Sequence, residues 1–289
     1  MKNKKLSLFL VFLFGMLVIA GCGQVDEPAE QVESKGTIKI GKNNWAENIA
    51  VSNMWKILLE EKGYEVELVS ADKSVVYLGV SEGELDIGME VWLPITDARY
   101  VEEYGHGFTV QDMWYENTSL GLVVPSYMEV NCITELNDYA DEYGGRIVGI
   151  DPGSSLMQLT EEAIEHYDLN YELIESSDSA MMADLERAYG NDEPTVVTLW
   201  SPHYAFAYYD LKYLDDPAGI YGESDDIVFI TREGFEDDHP EVLSWMNTWF
   251  MDDDSLGELM GIIEEVGDPV EGANMWIQDN QDLISQWIN

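Results

Sequence analysis

Three tryptophans stand where α/β chains tend to place binding chemistry, just past a strand's carboxyl end or in the turn entering a helix. Trp45 follows a first β-rich run in Asn43-Asn44-Trp45-Ala46-Glu47, Trp92 follows a third in Glu90-Val91-Trp92-Leu93-Pro94, and Trp200 ends another in Leu199-Trp200-Ser201-Pro202-His203. An indole face carries negative quadrupole charge, so several facing one point attract a cation by about 2 kcal/mol or more when water is excluded. A carboxylate binds a cation more strongly, but it holds water and favours N–H donors. An aromatic cage suits a methylated nitrogen, which has no donor. Asp151-Pro152-Gly153-Ser154-Ser155-Leu156 carries a strand end into a helix start, and the N–H groups of Ser155 and Leu156 fall in the first turn, without helical acceptors. That is a seat for an anion. Together, cage and seat suit a zwitterion with one trimethylammonium end and one carboxylate end. Each feature alone is weak, because tryptophan is commonly core and every helix start has free amides. Helical or late-chain placement explains Trp114, Trp245, Trp249, Trp276 and Trp287 as structural.

The elements that must position these residues alternate short β-rich runs with helical stretches, a pattern of α/β layers. Strands are expected at 37–41, 64–70 and 83–89, with helices at 47–62, ending at Gly63, and at 74–81. An apolar strand at 120–125 ends in a turn, and a second set then opens with a strand from 146, followed by a helix at 156–167, a strand at 171–175, a helix at 179–189 and a strand at 195–200. Ile227-Val228-Phe229-Ile230 reads as a strand returning to the first set, which the later helices complete. The two halves read as repeats of one plan. Two crossings between two lobes describe a hinged clamp, with one lobe from 37–124 plus 226–289 and the other from 125–225.

The chain has 289 residues and 46% hydrophobic content, enough for two lobes with a sizeable core. Its charge is extreme, with 57 acidic against 14 basic residues and a net −43. Nucleic acid is therefore excluded as a partner. Such a surface repels itself unless salt screens it, which points to a saline or alkaline habitat. Residues 1–21 read as an export signal: Lys2, Lys4 and Lys5, an apolar run from Leu6 to Ile19, then Ile19-Ala20-Gly21-Cys22. This matches a lipoprotein box with Cys22 as the acylated residue. Residues 22–36 form the lipidated end and a polar tether. The expected location is extracytoplasmic, anchored to the cell membrane through Cys22. Cys132 is the other cysteine, so no intramolecular disulfide remains once Cys22 is acylated. His106, His166, His203 and His239 lack metal-ligand spacing, and no P-loop, G-x-G-x-x-G turn or G-x-S-x-G elbow occurs. No metal, cofactor or catalysis is expected.

The chain resembles the substrate-binding proteins of glycine betaine ABC transporters over nearly its whole length after the tether. The resemblance rests on Asn44-Trp45 with Glu47 to Ala50, Val91-Trp92-Leu93-Pro94, Gly149-Ile150-Asp151-Pro152-Gly153, Val196-Val197-Thr198 with Trp200-Ser201-Pro202-His203, and the run from Tyr209 to Pro217. It implies a type II periplasmic-binding-protein fold, two α/β lobes closing on a ligand. It further implies that Trp45, Trp92 and Trp200 form a prism around a trimethylammonium group, that the amides of Ser155 and Leu156 hold the carboxylate, and that a membrane permease is the partner of a monomeric binding protein. His203, within its motif, joins the expected ligand-binding set. Many relatives have a histidine five residues after the tryptophan of the Trp-Leu-Pro motif, where it helps hold the ligand carboxylate. Here that position is Asp97, which when ionised donates nothing and repels a carboxylate unless turned away. Two resolutions stay open: Thr96 supplies the hydrogen bond, or the ligand lacks a carboxylate, as choline does. Glycine betaine is favoured over choline because a desolvated charge pair is the larger effect, and proline betaine, also a zwitterion, is a further candidate.

Two readings of other classes compete. A surface lipoprotein could use exposed aromatics to bind glycan or protein, since sugars also stack on tryptophan. A hydrolase is disfavoured because the carboxylates sit in solvated runs such as Asp252-Asp253-Asp254, with no recognisable acid-base pair.

Overall fold

The alternation of Ile38 and Ile40 buries both side chains on one face of strand β1 (Thr37–Lys42). The rest of the fold, a computed structural model that describes residues 34–288, builds outward from it. The signal segment, Cys22 and the tether as far as residue 33 lie outside the described residues. Helix α1 (Ala46–Glu61) buries Ala50, Met54, Trp55 and Leu58 between the sheet and the C-terminal helices. It stops at Gly63, whose φ of 93° suits a residue without a side chain. The first pass continues through β2 (Glu65–Ser70), α2 (Lys73–Ser81), β3 (Ile87–Leu93), α3 (Ala98–Tyr104) and β4 (Phe108–Tyr115). A second pass comprises β5 (Ser119–Pro125), β6 (Arg146–Val148), α4 (Ser155–His166), β7 (Glu172–Ile174), α5 (Asp178–Gly190), β8 (Val197–Ser201), α6 (Ala205–Tyr208) and β9 (Leu211–Tyr213). Strand β10 (Asp226–Arg232) then precedes helices α7 (Phe235–Asp238), α8 (Pro240–Met246), α9 (Asp253–Val266), α10 (Pro269–Asp279) and α11 (Gln281–Trp287).

The strands make two five-stranded sheets, ordered β2-β1-β3-β10-β4 and β7-β6-β8-β5-β9. In each, three parallel strands are followed by two antiparallel ones. The halves therefore repeat one plan, and the chain passes between sheets after β4 and again before β10. Strand β5 pairs with β8 and β9, so the chain has entered the second sheet by Ser119. This corrects the expected lobe boundary at 124/125: the apolar run 120–125 belongs to the second lobe, because its residues complete the antiparallel edge of β8.

The third strand also starts later than its sequence suggests. The amides of Glu84 and Leu85 both turn back to the carbonyl of Gly79 at 2.8 and 3.0 Å, closing α2 instead of opening a strand. Within β3, the span from Gly88 to Val91 faces only Ile230 to Val228 on β10, so β3 carries one extra residue. Such a bulge flips the side-chain alternation. Ile87 and Met89 pack into the main core, Val91 into the smaller cluster on the opposite face, and Trp92 into the main core again. Without the bulge, Trp92 would point to the face occupied by Val76 and Ile230.

Candidate functional site

Trp45 is the last residue before α1, in extended conformation with φ −107° and ψ 151°. Trp92 lies near the carboxyl end of β3, and Trp200 near that of β8. The two later tryptophans each stand two residues ahead of a cis proline, Pro94 and Pro202. All three indoles, two from the first lobe and one from the second, line a single cavity and are nearly buried, with exposures of 7%, 4% and 3%.

Each indole N–H ends on a carboxylate. Trp45 donates to Asp151 Oδ2 at 3.2 Å, Trp200 donates to Glu47 Oε2 at 2.8 Å, and Trp92 donates to Glu90 Oε1. The bonds of Trp45 and Trp200 cross between lobes. A carboxylate at the ring edge fixes the plane of the indole. Glu47 and Glu90 are both buried, and burial is the main reason both carboxyls titrate above the ordinary range, Glu90 at about 7. The negative charge of Glu90 raises Glu47 further, whereas the Trp92 hydrogen bond and the nearby Lys73 charge pull Glu90 back down. Glu47 Oε1 and Glu90 Oε2 have no hydrogen-bond partner among the described residues, an arrangement that a proton held between the two acids would satisfy.

Helix α4 supplies the second half of the cavity. Ser154 caps it, its Oγ accepting from the Met157 amide at 3.2 Å. Gly149 lets the helix start pack close to β6, since a Cβ there would run into the Met157 sulfur. Ser154, Ser155 and Leu156 line the cavity, and the amides of Ser155 and Leu156 donate to no acceptor among the described residues. The positive end of the helix is thus presented to the cavity.

The remaining expected site residues divide. Thr96 lines the cavity, its backbone held by the Asp225 carboxylate at 2.9 Å. Asp97 is fully buried and sits behind the wall. Its Oδ2 accepts from the Trp92 amide at 2.9 Å, the Tyr77 hydroxyl at 3.1 Å and Lys73 Nζ at 2.6 Å, and its Oδ1 accepts from Ser155 Oγ at 2.9 Å. The carboxylate is turned toward these donors, so it presents no acid to the cavity. His203 also stands behind the wall, edge-on to Trp200 with ring centroids 4.7 Å apart. Its Nδ1 accepts from the Ala205 amide at 3.1 Å, which leaves the proton on Nε2 to donate to Asp178 Oδ1 at 3.3 Å. Asp178 also accepts from the Ala46 amide at 3.1 Å, tying the Trp200 support to the residue after Trp45.

Sequence reasoning did not single out Glu47, Glu90 or Lys73. Glu47 and Glu90 were legible as acids two residues from a tryptophan of the cavity. Lys73 had no such signal, because it reaches the cavity from the start of α2. Among the described residues no group of metal-ligating side chains occurs, and no helix is long and apolar enough to cross a membrane.

Residues 36–279 match the family described as the substrate binding domain of ABC-type glycine betaine transport system. The chain is 36% identical over 155 residues to the glycine betaine/carnitine transport binding protein GbuC of Listeria monocytogenes, a match over 53% of this chain. It spans about half, 52%, of that relative's length. Among solved structures it is similar to the glycine betaine/L-proline-binding protein ProX of Borrelia burgdorferi, with TM-score 0.83, 32% identity and coverage of 88% of this chain and 97% of that one. It is also similar to lactococcal OpuAC in its closed form with glycine betaine, with TM-score 0.82, 31% identity and coverage of 88% and 100%. These likenesses carry the two-lobe periplasmic-binding-protein architecture, and with the match over 36–279 they lead to one statement of kinship: the chain belongs to the family of substrate-binding domains of ABC-type glycine betaine transport systems.

Proposed function

We propose that this chain captures glycine betaine, or a closely similar quaternary-ammonium zwitterion, between its two lobes and delivers it to an ABC permease without any chemical step. The observation that carries the reading is the convergence of Trp45, Trp92 and Trp200 with the start of α4 on one cavity. The indole faces match a methylated cation, and the free amides of Ser155 and Leu156 match a carboxylate. The relative from Listeria is a glycine betaine/carnitine transport binding protein, and the lactococcal structure holds glycine betaine, which supports the same ligand class here. Bonds that cross the cleft, such as Tyr100 Oη to the Gly153 carbonyl at 3.0 Å, support closure of the lobes around the ligand. The working location is extracytoplasmic, with Cys22 as the acylated anchor and the permease reached by the closed monomer.

Titration with glycine betaine is expected to change tryptophan fluorescence and to raise the melting temperature, as any ligand selective for the native state does. An absence of response to betaine, choline and proline betaine at millimolar concentration would end the proposal.

A further inference from the structure

We propose that Lys73 is the specificity-determining cation of this site, placed to pair with the carboxylate end of a zwitterion and to turn away quaternary ammonium compounds that lack one. The inference deepens the reading of the cavity as a quaternary-ammonium site and rests on it.

Lys73 is the first residue of α2, yet its side chain is only 4% exposed and lines the cavity. Its Nζ lies 2.6 Å from Asp97 Oδ2 and 5.1 Å from the centroid of the Trp45 ring. Buried lysine is disfavoured unless paired, and Asp97 provides the pairing. The same carboxylate takes Ser155 Oγ on its other oxygen. Asp97 therefore draws the ammonium and the α4 start to opposite ends of one small group, beside the free amides of Ser155 and Leu156. Asp97 already accepts four donors, so it can satisfy only part of the three-donor ammonium. A ligand carboxylate seated at the α4 start would have Lys73 as its neighbour and would complete that ammonium's bonding.

The discrimination follows from charge. A trimethylammonium group among the three indoles sits close to Lys73, because Lys73 itself lies over one of those rings. In a cavity that excludes water two cations repel, and Asp97, which is buried behind the wall while Lys73 lines the cavity, offsets that repulsion only in part. A zwitterion offsets this repulsion with its own carboxylate, whereas choline brings a neutral hydroxyl and does not. The site thus rejects the wrong ligand by an introduced repulsion as well as selecting the right one.

The test titrates the wild type, Lys73→Met with Asp97→Asn, and Lys73→Arg with glycine betaine and with choline, following tryptophan fluorescence. The double variant removes both charges together, so that no unpaired buried carboxylate remains, and its melting temperature reports whether it folds. Expected are a wild-type preference for betaine of about tenfold or more, a loss of about tenfold in betaine affinity in the double variant with choline affinity unchanged or improved, and retained preference in Lys73→Arg. A double variant that folds and weakens both ligands equally, or keeps the wild-type preference, overturns the role of Lys73. A wild type that binds neither ligand instead defeats the underlying reading of the cavity.

Discussion

Trp200 on β8 gives its indole N–H to Glu47 on α1 across 2.8 Å, and this bond ties a wall of the cavity in one lobe to the helix that begins beside Trp45 in the other. With Trp92 on Glu90 and Trp45 on Asp151, each of the three indoles lining the cavity is oriented by a carboxylate. Rotating Trp92 or Trp200 would strand a buried acid and an indole N–H together. Glu47→Ala should therefore lower stability by about 1–3 kcal/mol through the unpaired N–H and weaken ligand binding. Glu47→Gln keeps an acceptor for Trp200 and removes a buried titratable group, so its melting temperature should stay at or above that of the wild type. Thermal melts of the two variants side by side check this, and equal destabilisation would show that the hydrogen bond is not what matters.

The faces of the rings carry a separate prediction. Replacing Trp92 with Leu keeps an apolar side chain but removes the quadrupole, which is worth about 2 kcal/mol for a desolvated cation, or roughly 30-fold in affinity. Trp92→Phe should retain part of that. Titration with glycine betaine is expected to rank wild type, Phe and Leu in that order, and an indistinguishable Leu variant would mean that shape alone holds the ligand.

How far the sequence carried can be seen at these same residues. The three tryptophans and the Asp-Pro-Gly turn were legible because strand ends and helix starts have local signatures, and those signatures placed all of them near one cleft. The facing of Trp92 was not legible, since it depends on an extra residue in β3 that only the pairing with β10 reveals. Nor was the role of Asp97. Read along the chain, it is an acid where a donor was expected; in three dimensions it is the far half of an ion pair with Lys73, 24 residues earlier in the numbering. Strand β4 was also missed, because its side chains alternate only loosely between exposed and buried. Local pattern reports elements, whereas bulges and long-range pairs are settled by packing.

A pH dependence follows from the paired acids. Glu90 titrates at about 7 in the folded protein and Glu47 also above the ordinary range, whereas unfolded glutamate titrates near roughly 4.3. The folded state therefore binds these protons more tightly, and the stability this gives is fully present below the unfolded value and fades as pH rises through the folded one. Melting temperature should fall between about pH 5 and pH 8 on account of this pair. Glu90→Gln, which still accepts from the Trp92 indole, should flatten that slope. A profile equally steep in the variant would place the titrating groups elsewhere.

The acidic surface makes the last prediction. With a net charge of −43 over the chain, repulsion among exposed carboxylates opposes compaction, and its reach is set by the ionic atmosphere. That reach shrinks from about 8 Å at physiological salt to about 3 Å at 1 M. Salt should then stabilise the fold more than it does a protein of balanced charge, because the folded form concentrates the acids while the unfolded chain disperses them. Melting temperature is expected to climb as sodium chloride is raised to molar levels. Neutralising the exposed acids Glu82, Glu84 and Glu102 by substitution with glutamine should raise the low-salt melting temperature and reduce the salt response together. If the response is unchanged by that substitution, screening of local repulsion is not its source, and the salt effect would have to come from exclusion of the salt from apolar surface instead.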